Sequence, residues 1–118
     1  MDPSELQQRS FNFALRVIHL VRAMPKTVDG RAVGGQIVRC ATSVGANYRA
    51  ACKSRSRAEF ISKIGIVEEE INETVYWLEL IIASAMLSTA KVQSLLQEAK
   101  ELERIFAASR ITAIRNRT

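Results

Sequence analysis

The chain has 118 residues, 47% of them apolar, and a formal net charge of +5 from 17 basic and 12 acidic side chains. That length supports one hydrophobic core and a single domain over residues 1–118, and two prolines and five glycines leave a composition that favours helix over strand. No apolar run approaches the roughly 18 residues of a membrane span, the opening MDPSELQQ lacks the basic start and apolar middle of a signal peptide, and one histidine with two separated cysteines cannot assemble a zinc site.

These exclusions lead to the expectation of a cytoplasmic all-α protein without metal or cofactor. Cys40 and Cys52 would lie about 18 Å apart on a continuous helix, too far for a disulfide. Both are expected to be reduced and buried.

In chain order, Asp2-Pro3-Ser4-Glu5 gives a capping residue, proline at the first helical position and an early acid, so a first helix is predicted to start there. Phe13, Val17, Leu20, Val21 and Met24 supply its apolar stripe. Pro25 and the Asp29-Gly30 pair predict a loop of about ten residues before a second helix from about Ala32. On that helix Ile37, Cys40, Ala41, Val44, Tyr48 and Ala51 share one side, with Arg39, Ser43, Ala46, Arg49 and Lys53 largely on the other. Gly45, unfavourable by about 1 kcal/mol against alanine in a helix interior, points to close backbone approach.

Ser56-Arg57-Ala58-Glu59 fits a capping box, so a third helix restarts after a very short break and runs to about Leu87. Ile64, Ile71, Leu78 and Ala85 give it a seven-residue seam, and Ile66, Trp77, Leu80 and Ile81 are read as a second apolar face, expected to bury against another subunit. Ser88 or Thr89 caps a fourth helix, in which Val92, Leu95, Leu96, Ala99, Leu102 and Phe106 face inward before the basic tail RITAIRNRT. The Asn72 and Asn116 sequons carry no meaning in an unsecreted chain. Short connections force sequential helices to pack, which predicts an antiparallel up-down-up-down four-helix bundle.

Little in the sequence points to catalysis. His19 has no nucleophile in a recognisable motif around it, and Gly34-Gly35 is only punctuation. Glu68, Glu69, Glu70 and Glu73 form an acidic cluster without the Glu-x-x-His partners of di-iron bundles. Glu70 and Glu73 are expected to pair with bases of the second helix, while Glu68 falls on the Ile64 and Ile71 side and needs a partner if buried. Asn47 is expected to be structural, its amide bonding a neighbouring helix or subunit. Positive charge is unevenly placed: residues 1–60 carry ten Lys/Arg against four Asp/Glu, residues 61–118 seven against eight. Arg39, Arg49, Lys53, Arg55 and Arg57 crowd the corner between the second and third helices. Their plain reading is a solvated face; their functional reading is phosphate contact, strengthened if a ring of subunits sums the field.

The run QIVRCATSVGANYRAACKSRSRAEFISKIGIVEEEINETVYWLELI, Gln36 to Ile81, resembles the bacterial four-helix bundle proteins encoded in intervening sequences of 23S rRNA genes. Gln36, Arg39, Ser43, Ala46-Asn47-Tyr48-Arg49, Ser56, Phe60, Lys63, Glu70, Glu73 and Trp77-Leu78 carry the likeness. It implies an up-and-down bundle assembling as a homopentamer, with no established enzymatic activity, and a relation to the basic accessory bundle protein of diversity-generating retroelements, which binds nucleic acid and a reverse transcriptase. Ala50 stands where the family pattern has glutamate, which removes a possible ion pair and leaves the corner more positive. The expected function is sequence-independent nucleic-acid binding, RNA or DNA, by Arg39, Arg49, Lys53, Arg55 and Arg57. The alternative is an oligomeric scaffold for a protein partner such as a polymerase.

Overall fold

Asp2 accepts a hydrogen bond from the Glu5 amide at 2.9 Å and Pro3 follows it, so the chain enters helix at once. A computed structural model describes residues 1–116. It contains four helices, α1 (Pro3–Arg22), α2 (Val28–Cys52), α3 (Arg57–Ala83) and α4 (Thr89–Arg115), in a rod of 51 × 20 × 20 Å. Among the described residues there is no strand. Most of the Asn116 sequon lies outside the described residues.

α1 packs on α2 and α4, and α3 packs on α2 and α4. The polar ties have an order: Glu68 meets Arg110, Asn72 donates to Glu103 and Glu79 pairs with Lys100, so advancing positions on α3 pair with receding ones on α4. Arg9 bonds Glu98 while Arg16 bonds Ser94, the same relation between α1 and α4. Arg9 is also clasped by Glu101 at 2.9 Å, and these two carboxylates raise its pKa.

The inward stripes of α1, α2 and α4 are those expected from the spacing, with Phe13, Val17, Ile37, Val44, Val92 and Phe106 fully enclosed. Tyr48 tilts against Phe106 with ring centroids 5.3 Å apart, and burial pushes its phenol pKa up. Cys40 and Cys52 are free thiols; Cys40 is buried as expected, Cys52 only half-buried. Burial raises the Cys40 thiol to about 11. The Thr74 hydroxyl donates to the Glu70 carbonyl at 2.8 Å and lies 3.2 Å from the Cys40 sulfur.

Three expectations are corrected. The α1–α2 connection is only Ala23 to Thr27, and Asp29-Gly30 sits inside α2. Thr27 caps the helix by accepting from the Gly30 amide, and a Cβ at Gly30 would lie 2.2 Å from the Pro25 carbonyl oxygen. The glycine therefore permits a tight approach rather than a turn. Second, α3 ends at Ala83, and Ala85 has left the helix with φ 59°. The Met86 amide reaches the Ile81 carbonyl and the Ala85 amide that of Ile82, the paired bonds of a Schellman stop.

Third, Ile81 is wholly enclosed in this chain's core, and Trp77 and Leu80 pack against it. The buried arc steps by three and four residues through Ile64, Val67, Ile71, Thr74, Leu78 and Ile81, so Ile81 stands one turn beyond Leu78 on the core side, and the seven-residue seam loses only Ala85, which lies past the helix end. The second apolar face therefore shrinks to Ile66, 45% exposed, with Tyr76 exposed ten residues further on and set edge-on against Trp77. The Trp77 indole N–H is buried without an acceptor among the described residues.

Candidate nucleic-acid interface

α2 runs out at Cys52, where the Lys53 and Ser54 amides still reach the carbonyls of Ala50 and Ala51. Ser56 then caps α3, accepting from the Glu59 amide at 3.1 Å, and the Glu59 carboxylate accepts from the Arg55 amide at 3.0 Å. These two bonds fix the corner. Lys63 pairs with the same Glu59 at 3.0 Å, and this pair, with the Arg55 amide, lowers the Glu59 pKa. The one acid of the corner is thus already engaged.

Arg49, Lys53, Arg55 and Arg57 are exposed, and none has a salt-bridge partner among the described residues. Arg9, Arg39, Lys63, Lys100 and Arg110 all do. The N-terminus of α3 opens at the same place and adds its positive dipole end to the field. Chemically, the corner offers point charges and guanidinium forks to phosphate oxygens without any side-chain arrangement for reading bases.

Arg39 does not join this group. It is fourteen residues before Lys53, about 21 Å along the helix, donates to Gln36 at 2.8 Å and meets Glu73 of α3 at 3.6 Å. Its place is a tie between α2 and α3, with Glu73 as the expected partner. Glu68 meets Arg110 across the α3–α4 seam. Glu70 is half-buried and lacks a salt bridge among the described residues, and burial, then Glu73, raises its pKa. The Asn47 amide, expected to bond a neighbouring helix, forms no side-chain hydrogen bond among the described residues.

Two surface features were not read from the sequence. A groove of about 870 Å³ opens at the corner end of the rod, with Leu6, Cys52, Phe60 and Ile105 in its wall and Arg57 on it. A second groove, about 300 Å³, runs between α1 and α2 along Phe11, Leu15, Ile18, Thr42 and Ala46. Phe11 is 50% and Leu15 41% exposed. Phe11, Leu15 and Ile18 stand at i, i+4 and i+7, a second helical stripe masked by the stronger Phe13 and Val17 series. His19 is exposed beside Lys91 and Ser94, and among the described residues no three His, Cys, Asp or Glu side chains are gathered to hold a metal.

Fold and surface together define a basic four-helix protein with one continuous core and an uncompensated cationic corner. The sequence profile of the 23S rRNA-intervening sequence protein matches residues 3–108, and the chain belongs to that family. It is also similar to a solved structure from Bacteroides thetaiotaomicron VPI-5482, a protein of unknown function from the S23 ribosomal protein family. That chain shares 33% identity with a TM-score of 0.81, over 87% of this chain and 95% of its own. No curated protein matches the chain. No described helix is long and apolar enough to cross a membrane.

Proposed function

We propose that this protein is a non-enzymatic nucleic-acid-binding oligomer of the cytoplasm, gripping RNA or DNA through phosphates. The observation that carries the reading is the corner itself: Arg49, Lys53, Arg55 and Arg57 stand exposed within nine residues without salt-bridge partners among the described residues, while Arg9, Arg39 and Arg110 are paired across helices. The antiparallel up-down-up-down order is supported by the α3–α4 and α1–α4 pairings. A ring of five, the assembly that the family likeness implies, repeats the corner around an axis and lets several weak clusters hold one polyanion. The likeness to the accessory protein of diversity-generating retroelements supports the same partner class.

Binding to a structured RNA and to a duplex DNA, followed across salt, tests this. The affinity is expected to fall steeply with salt, by a log-log slope of about −0.9 per duplex phosphate neutralised. Replacing Lys53, Arg55 and Arg57 together by glutamine is expected to flatten that slope without selectivity for sequence. A flat salt response, or no binding at low salt, overturns the reading. Copurification of a specific protein free of nucleic acid turns the assignment to a scaffold.

A further inference from the structure

The α1–α2 groove is an apolar surface that the core does not account for. Phe11 and Leu15, 50% and 41% exposed, wall it on the α1 side, Thr42 and Ala46 line it from α2, and no carboxylate lines it. Arg49 is the one charge in its lining.

Two glycines point to the same kind of surface. Gly35 and Gly65 lie inside α2 and α3, where each is unfavourable by about 1 kcal/mol against alanine. Neither has a positive φ, and a Cβ on either would meet nothing within 4 Å. Nothing among the described residues requires them. Gly35 precedes Thr42 by seven residues, so it lies on the groove's side of α2; Gly65 adjoins Ile66 on the outer side of α3. Both are places where a helix from outside can come close.

We propose that the α1–α2 groove seats α3 of a second copy of this chain. The spacing and charge of the two surfaces match. Ile66 is a lone exposed aliphatic knob, and Glu69 and Glu70, three and four residues on, have no salt-bridge partner among the described residues. Arg49 follows Ala46 by three residues. With Ile66 against Ala46 and α3 of the neighbour running the same way as α2, a carboxylate comes level with Arg49, about 5 Å further along both helices, so that in the assembly Arg49 serves the contact and Lys53, Arg55 and Arg57 remain for phosphate. The contact joins two different faces, so it propagates head to tail and closes where the rotation allows. This inference rests on the oligomeric part of the function proposed above.

Sedimentation of the full chain at micromolar concentration, with circular dichroism as the check on folding, tests it. Ile66→Asp and Leu15→Asp are each expected to reduce the assembly to the 13.2 kDa chain with helix content retained. Oxidising a mixture of Ala46→Cys and Ile66→Cys chains is expected to give a linked pair that neither variant gives alone. A monomeric parent chain, parental mass in both aspartate variants, or no mixed link overturns the contact. The Lys53, Arg55 and Arg57 glutamine variant is expected to keep its assembled mass, so the phosphate reading and this one fail independently.

Discussion

Ala85 is the one non-glycine residue with a positive φ among those described, 59°, and it sits where the Schellman stop of α3 needs a left-handed residue. A Cβ in that region is unfavourable by roughly 1–2 kcal/mol. Ala85→Gly is therefore expected to stabilise the chain by about 0.5–1 kcal/mol, the gain being trimmed by the looser unfolded glycine. A rise of a few degrees in melting temperature checks it. Glu70 makes the second residue-scale prediction. Its folded pKa lies above the ordinary 4.5, because burial and then Glu73 disfavour the charge more than Arg39 favours it. The folded chain holds that proton more tightly than the unfolded one, so this contribution is present at low pH and lost as pH rises from 4.5 through the raised value. Glu70→Gln is expected to gain on the parent with rising pH in denaturant titrations across that window; parallel profiles would contradict it. The caps Asp2 and Ser56 were legible in the sequence because a cap is a local event, whereas the Glu70 environment depends on what α2 brings against it.

At the scale of the element, α3 shows what spacing alone resolves. Its start was legible at Ser56, and Ile64, Ile71 and Leu78 were rightly taken as core. Ile81 was assigned to an outer face although it lies three residues after Leu78 and seven after Thr74; the polar Thr74 interrupted the apolar pattern that would have marked Val67 and Ile81 as the second row of the core. Cavity energetics distinguish the two faces. Ile81→Ala, in the closed core, is expected to lower stability by about 2–5 kcal/mol, while Ile66→Ala is expected to stay within about 0.5 kcal/mol for the isolated chain. Denaturant midpoints of the two variants decide the matter. The α1–α2 connection was misread for a different reason: Asp29-Gly30 has turn chemistry, and only the nearness of Pro25 reveals that this glycine serves a helix start. In α2, amphipathic spacing placed the basic edge correctly, and residue count alone puts Arg39 about 21 Å from Lys53; what the sequence does not show is that Glu73 of α3 takes it.

For the whole molecule, charge asymmetry along the chain became asymmetry in space. Arg49, Lys53, Arg55 and Arg57 gather within nine residues at one end of the rod without salt-bridge partners among the described residues, whereas Arg9, Arg39 and Arg110 are each tied to a carboxylate of another helix. Composition showed the excess but not which cations remain free, since that depends on contacts between residues as distant as Arg9 and Glu98. The two grooves were illegible for the same reason. Each is bounded by side chains of separate helices, and a groove is a property of their packing rather than of either pattern.

The clasp of Arg9 by Glu98 and Glu101 also bears on how the chain reaches this state. Every other helix contact joins neighbours in sequence, so the low contact order favours rapid folding through α1–α2, α2–α3 and α3–α4 pairing. Closure of α1 on α4 spans the longest loop and has least to contribute before the rest is formed. Arg9→Ala is then expected to accelerate unfolding several-fold while leaving the refolding rate nearly unchanged, with a loss of about 1 kcal/mol. Stopped-flow chevrons would show the unfolding limb raised and the refolding limb superimposed. A slowed refolding limb would place the joining of the chain's two ends in the nucleus instead.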